Sequence, residues 1–334
     1  MRSRLCRLTT ALIAVTIACC VPPSFAAAAP DGAIDLQSHR GGRGEHTEES
    51  LYGFARSIEL GVTTLELDIV LTRDGVPLVW HDPEISADKC RDTVPASFGD
   101  RSFPYVGKDV HDLTYRQIST LVCDRRLADF PTAERVRGNR IATLRQLFDL
   151  AATYRGNRVR FNIETKIEAQ ARSRSATPEQ FVSTILREVR RADVLDRVEI
   201  QSFDWRSLPL VAARAPGVPL VALYDESTWK PGSVWLGPVD YRRWGGDVVA
   251  AVRDAGFDVL SPNFTLSDAA LVARAHAAGL RVIPWTVNKR SDMIAQLDHG
   301  VDGIITDYPT RLRAVLADRG LPLPRAHRAR VTAS

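Results

Sequence analysis

Long apolar runs are missing from this 334-residue sequence, with one exception at its start, so nothing beyond that start reads as a membrane span. Several familiar signatures are missing too. There is no G-x-S-x-G elbow to mount an esterase serine. There is no His-x-His pair of the metallohydrolase kind. No glycine-rich turn of the dinucleotide-binding type precedes a helix, and no basic stripe covers an element, which argues against nucleic acid. What remains, 45% hydrophobic and 25% charged, is the composition of an ordinary globular enzyme-sized chain.

The exception is informative. Arg2, Arg4 and Arg7 precede an apolar stretch from Ala11 to Val21, and Ser24-Phe25-Ala26-Ala27-Ala28 follows. A basic leader, a short apolar run and small residues make a secretory signal peptide over 1–28, too short for an anchor. Cys19 and Cys20 suggest a lipoprotein, but the residues before them fit a lipid-attachment site poorly. Cleavage near Ala26 to Ala29 removes three arginines and leaves about +1 of the formal +4 charge. It also removes Cys6, Cys19 and Cys20. An exported chain that keeps only Cys90 and Cys123 suggests a disulfide, two unpaired buried thiols being the alternative. The expected location is secreted or extracytoplasmic, with no stable membrane span after cleavage.

Short β-branched runs alternate with amphipathic stretches almost to the end. Strands are expected at 33–37, 64–71, 76–80, 158–164, 197–201, 218–223, 258–261, 281–286 and 303–306. Thr47 is expected to cap a helix carrying Leu51, Phe54, Ala55 and Ile58, which Gly61 stops. Thr177-Pro178-Glu179 opens another; Ser267-Asp268 and Ser291-Asp292 open two more, ended by Gly279 and Gly300. This is the pattern of a (β/α)8 TIM barrel over 29–318, with a doubly wound open sheet as the competitor. Residues 82–140 break the repeat as a long insertion holding both mature cysteines and a helical patch at Leu113–Val122. Residues 224–247 form a Gly/Pro-rich loop with Trp229, Trp235 and Trp244. Both are expected over the active face as lids or pocket walls. The tail, 319–334, with Arg325, Arg328 and Arg330, is expected to be a flexible basic end.

Active sites of such barrels sit at the C-terminal ends of the strands. The first strand runs into His39-Arg40-Gly41. The second carries Glu66 and Asp68 two apart, hence on one face among Leu65, Leu67 and Ile69. Two carboxylates there need compensation, and a divalent cation supplies it. Asp74-Gly75 predicts a two-residue hairpin with Arg73 opposite Val76, which sets His81 opposite Asp68. Glu164 and Lys166 share a face at a later strand end, and Trp285 offers an apolar wall. Together these residues suit an anionic ester. Arg40 and Lys166 would neutralise phosphate oxygens, while His39 and His81 exchange protons with the attacking and leaving oxygens. His46, His111, His276, His299 and His327 lack such company and read as structural or exposed.

These motifs resemble the glycerophosphodiester phosphodiesterase family. The residues that carry the likeness are His39-Arg40-Gly41, Glu45-His46-Thr47, Glu66-Leu67-Asp68, Thr72-Arg73-Asp74-Gly75-Val76-Pro77, His81-Asp82, Glu164-Thr165-Lys166, Trp285-Thr286-Val287-Asn288 and Asp302-Gly303-Ile304-Ile305-Thr306-Asp307. Glu45-His46-Thr47 and the insertion near Tyr105-Val106-Gly107-Lys108 look like its exported, periplasmic-type branch. The resemblance implies release of sn-glycerol 3-phosphate and an alcohol. It makes His39 and His81 the acid/base pair, Glu66, Asp68 and Glu164 the ligands of calcium or magnesium, and Arg40 and Lys166 the phosphate contacts, with Glu45 joining the substrate shell. The run from H-R-G to Glu45 is shorter than is usual in the family. The expected substrate is a small glycerophosphodiester or a teichoic-acid-type polymer. The competing functions are a sphingomyelinase D-like or phosphatidylinositol-specific phospholipase, and a non-catalytic phosphodiester-binding barrel.

Overall fold

The computed structural model describes residues 33–154, 156 and 158–329; the apolar start, read above as a signal peptide, lies outside the described residues, as does Arg330. In chain order the elements are β1 (Asp35–His39), α1 (Leu51–Leu60), β2 (Thr64–Leu71), β3 (Pro77–Val79), α2 (Tyr115–Ile118), α3 (Leu144–Ala152), β4 (Arg160–Thr165), α4 (Pro178–Arg191) and β5 (Val198–Ser202). There follow α5 (Ser207–Arg214), β6 (Leu220–Tyr224), α6 (Val248–Asp254), β7 (Val259–Pro262), α7 (Ala269–Ala277), β8 (Arg281–Val282), α8 (Arg290–His299), β9 (Gly303–Thr306) and α9 (Pro309–Asp318).

Eight of the strands are parallel neighbours in the order β8-β7-β6-β5-β4-β2-β1-β9, with β3 attached to β2. Asp302 N donates to Val282 O (2.9 Å) and Ile305 N to Pro284 O (3.1 Å), which brings β9 against the end of β8. This is the expected TIM barrel. The regular part of β8 is shorter than expected because Pro284 has no N–H to continue the ladder. Beyond it, Trp285 N still donates to Pro262 O (3.0 Å).

Period-two alternation decides what each strand shows to the barrel interior. Leu65, Leu67, Ile69, Phe161, Ile163 and Ile200 turn outward into the main apolar core beneath the helices. The other face differs between the two halves of the barrel. In β6 to β9, Val221, Val259, Ile283 and Ile305 form a separate apolar plug. In β1, β2, β4 and β5 the inward residues are polar and bonded to each other. Gln37 Nε2 donates to Asp35 (3.0 Å) and Glu199 (3.0 Å). Asn162 Nδ2 donates to Gln37 and Gln201, both at 2.9 Å. Arg160 pairs with Asp35 and Arg281 with Glu199.

Local structure departs from the sequence reading in several places. The cap of α1 is Ser50, whose side chain accepts from Gly53 N, not Thr47; a cap belongs immediately before the first residue of the apolar stripe, here Leu51. Thr47 instead accepts from Val136 N (2.8 Å), tying the insertion to the first loop. Helix α8 starts at Arg290, ahead of Ser291-Asp292. The β2–β3 turn takes three residues rather than two. Leu71 faces Pro77, and Thr72 Oγ1 accepts from Val76 N (2.9 Å) while Gly75 adopts φ +75°. This turn holds one more residue than a two-residue hairpin. The register therefore slips by one, and Trp80, not His81, donates to Asp68 O (3.0 Å). The tail expected to be flexible is docked as far as Ala329: His327 N donates to Ile58 O (3.2 Å), Arg313 binds Pro324 O (2.8 Å), and Ala329 bridges Tyr154.

The insertion builds a second apolar core from Val70, Leu78, Trp80, Ile85, Tyr105, Leu113, Leu121 and others, so it is folded rather than loose. The helical patch expected at Leu113–Val122 is the single turn α2, closed by a Thr114–Gln117 capping box. Cys90 and Cys123 are joined in a disulfide across 33 positions. By loop-closure entropy it stabilises the chain by about 3–4 kcal/mol. The Cys90→Ser/Cys123→Ser protein should lose roughly this much in denaturant unfolding, and an unchanged unfolding midpoint would show that the bridge is not a structural tie.

Candidate active site

At the C-terminal mouth of the barrel an open cleft of about 360 Å³ is lined by His39, Arg40, Glu66, His81, Glu164 and Lys166, with Phe130, Phe203 and Trp285 as its apolar wall. The polar residues come from four strand ends: His39 and Arg40 from β1, Glu66 from β2, His81 from just past β3, and Glu164 and Lys166 from β4. His39 ends β1 and is paired with Glu66 on β2, while Asp68 is paired with Glu164 on β4. Past His39 the chain turns through left-handed backbone at Arg40 (φ 52°) and Gly41 (φ 75°). A side chain at Gly41 would come within 3.0 Å of Phe54 N, so the turn requires glycine there. That turn aims the Arg40 N–H at Glu66, whose Oε2 accepts it (3.1 Å).

One ligand atom from each of Glu66, Asp68 and Glu164 lies within 4.8 Å of the others, and all three residues are buried. Burial, then Asp68, pushes the Glu66 carboxyl well above the usual range. Burial raises Glu164 to about 8, Asp68 adding to it and Lys166 (2.9 Å away) opposing. Burial works against Asp68 as well, but Arg40, Lys166 and the two histidines hold it far below its ordinary value. Arg40 Nε lies 2.8 Å from Asp68 Oδ2, yet both Asp68 oxygens lack a well-aligned hydrogen-bond donor. Buried carboxylate oxygens without donors, facing two further carboxylates, fit a hard divalent cation. Gln201 Nε2 donates to Glu66 Oε1 (2.6 Å), fixing that carboxylate from the polar half of the barrel.

Both histidines are held the same way. His39 Nδ1 is 2.5 Å from Asp307 Oδ1, and Asn288 Nδ2 donates to the other Asp307 oxygen (2.7 Å). His81 Nδ1 is 2.7 Å from Asp82 Oδ1. Burial, then Arg40, lowers the pKa of His39; burial, then Arg40 and Lys166, lowers His81 to about 3. His81 reaches the cleft although the register differs from the expected one, because the regular strand ends at Val79 and strand alternation no longer sets where the side chain goes.

Glu45 is not in the substrate shell expected of it. Its oxygens accept from Thr310 N (3.0 Å) and Thr310 Oγ1 (2.8 Å) in the first turn of α9, and it does not line the cleft. Glu48 and Glu49, three and four residues on, do not line the cleft either, but they hold groups beside it. Glu48 is 3.0 Å from Arg43, 3.4 Å from Arg40 and 2.6 Å from Lys89, and Glu49 Oε1 accepts from Asp68 N (3.2 Å). The signal was present: with the helix cap set at Ser50, Glu48-Glu49-Ser50 becomes the motif at the helix entrance.

The insertion does bring Phe130 to the cleft, with Arg43 over its ring at 4.6 Å. The tryptophan loop contributes less than expected. Trp229 stacks on Trp205 (5.7 Å) in the core, Trp244 carries Arg243 (4.9 Å), and only Trp235 approaches the wall, against Phe203 (6.4 Å). Among the other histidines, His276 pairs with Asp302 and His299 bonds Ser267 O, and neither lines the cleft.

The chain is similar to known proteins over most of its length. The model of the Glycerophosphoryl diester phosphodiesterase family matches residues 39–311. A glycerophosphodiester phosphodiesterase of Caldanaerobacter subterraneus is 28% identical over 82% of this chain and 94% of its own. A solved glycerophosphoryl diester phosphodiesterase structure from Silicibacter pomeroyi is 32% identical, with a TM-score of 0.75 over 87% of this chain and 96% of that one. An Oleispira antarctica phosphodiesterase, solved with its product sn-glycerol-3-phosphate, shares the fold at 17% identity (TM-score 0.62; 85% of this chain, 97% of that one).

The raised carboxyls predict how a cation would enter. Burial pushes both Glu66 and Glu164 upward, Glu164 to about 8, so near neutral pH Glu164 holds a proton that a metal ion must expel; binding should release protons and weaken as the pH falls below about 8. Calorimetry of calcium binding in buffers of different ionisation enthalpy measures that release. Asp68→Asn should abolish the binding heat, and undiminished binding by that variant would remove Asp68 from the ligand set.

Proposed function

Because the chain belongs to the glycerophosphoryl diester phosphodiesterase family, we propose that it is a secreted, metal-dependent enzyme hydrolysing glycerophosphodiesters to sn-glycerol 3-phosphate and an alcohol. The observation that carries this reading is one cleft holding three clustered carboxylates and two imidazoles, each imidazole tied by Nδ1 to its own aspartate.

Glu66, Asp68 and Glu164 would hold the cation, and their oxygen donors suit calcium or magnesium alike. When bound, it would draw charge from the phosphate oxygens as the transition state develops. Arg40 and Lys166 would hold the phosphate from the same side. With Nδ1 engaged by Asp307 or Asp82, each histidine keeps Nε2 for proton exchange. One imidazole takes the proton of the attacking oxygen, and the other returns a proton to the departing alkoxide. A bound phosphodiester anion would offset Arg40 and Lys166, which now help depress the His81 pKa, and so bring it back toward neutrality. Phe130, Phe203 and Trp285 would pack the carbon skeleton of glycerol or the head group.

Export belongs to the same proposal. Its support is the signal-like start together with the Cys90–Cys123 pair, since structural disulfides persist in oxidising compartments. A small diester suits the size of the cleft, and a glycerophosphate polymer would present the same scissile group.

Glycerophosphocholine should be hydrolysed, EDTA should stop it, and added calcium or magnesium should restore it. His39→Ala and His81→Ala should each lower kcat by about 10²–10⁴-fold with KM little changed. Near-normal turnover in either variant would exclude that histidine from proton transfer. Hydrolysis of intact sphingomyelin in place of glycerophosphocholine would overturn the assigned substrate class.

A further inference from the structure

One cation near the site takes no part in the reaction just described and does not line the cleft. Lys89, in the insertion, has its ammonium 2.8 Å from Asp82 Oδ2 and 2.6 Å from Glu48 Oε1, over the face of Trp80 at 4.9 Å. Asp82 uses its other oxygen to hold His81 Nδ1 (2.7 Å), and among the described residues it is the one hydrogen-bond partner of that imidazole. Glu48 uses its other oxygen toward Arg43 (3.0 Å) and Arg40 (3.4 Å). A continuous chain therefore runs His81–Asp82–Lys89–Glu48–Arg40, and Lys89 is its middle link. The backbone of Lys89 is fixed as well: its carbonyl accepts from Arg125 N (3.2 Å), and the next residue is the bridged Cys90.

We propose that Lys89 is a positioning residue, holding Asp82 so that the His81 imidazole keeps one orientation, and tying the His81 loop through Glu48 to the turn that carries Arg40. This rests on the reading of His81 as a proton-transfer group. The physical need is plain. His81 sits just beyond β3, outside the barrel ladder, so regular strand pairing does not orient it. Without a cation at position 89, two carboxylates would face each other across a mostly buried gap. Asp82, at 23% side-chain exposure, would be free to turn toward water and take the imidazole with it. A displacement of about 1 Å at a reacting group can cost 10²-fold in rate.

The test is a double-mutant cycle on the full chain with its metal, using glycerophosphocholine and an activated p-nitrophenyl phosphodiester that keeps residual activities measurable. Wild-type turnover comes first. If it cleaves neither ester, the phosphodiesterase reading itself falls. Given wild-type activity, Lys89→Met should lower kcat by about 10- to 100-fold with KM within a few-fold, and Lys89→Arg should recover most of the loss. In a His81→Ala background Lys89→Met should cost nothing further, because the group it positions is gone. An equal loss in both backgrounds would overturn the proposal, as would a rise in KM at constant kcat or no loss at all. Should Lys89→Met fail to fold, Lys89→Gln enters the same cycle with the same outcomes.

Discussion

Glu66, Asp68 and Glu164, when ionised, repel one another at the buried floor of the cleft, and most of what surrounds them answers that repulsion. Two like charges about 4 Å apart cost roughly 4 kcal/mol at an effective dielectric near 20, and here three such groups meet. The chain resolves the conflict unevenly. Asp68 is kept ionised by Arg40 and Lys166, whereas Glu66 and Glu164 are pushed toward their protonated forms. The cluster could thus hold a cation, and Arg40 and Lys166 line the same cleft.

The same constraint explains the two-sided interior of the barrel. Strands that carry the acids need partners in the layer beneath, and Gln201, Asn162, Gln37 and Glu199 form a hydrogen-bonded column down to Arg160 and Arg281 at the far end. Strands that carry no acid close the opposite half with four aliphatic side chains. The insertion answers a different need. The barrel supplies His39 from its own ladder, but the second imidazole stands beyond a short antiparallel strand. A disulfide-tied lobe with its own small core backs the segment that holds it.

Glu48 and Glu49 show why part of the site was hidden. A carboxylate in a loop looks like any solvated charge until its neighbours are known. The neighbours of Glu48 come from residues 40 and 43 on one side and 89 on the other. Glu45, the more conspicuous residue in the sequence, caps a helix start at the far end of the chain. The hairpin slipped for a related reason. Asp-Gly announces a turn, but the Thr72 side chain supplied a closing hydrogen bond and lengthened it by a residue.

The sequence by itself determined the alternation of strands and helices, and with it the barrel. Side chains two apart on a strand share a face whatever the tertiary context, so Glu66 with Asp68 and Glu164 with Lys166 could be assigned together. Strand-end position likewise marked His39. Only the folded chain decided which carboxylate keeps its charge, which loop glutamate anchors the arginines, and how His81 is held. Those outcomes depend on distances between segments far apart in sequence, and on burial, which multiplies each charge–charge term. Neither quantity is written in local spacing.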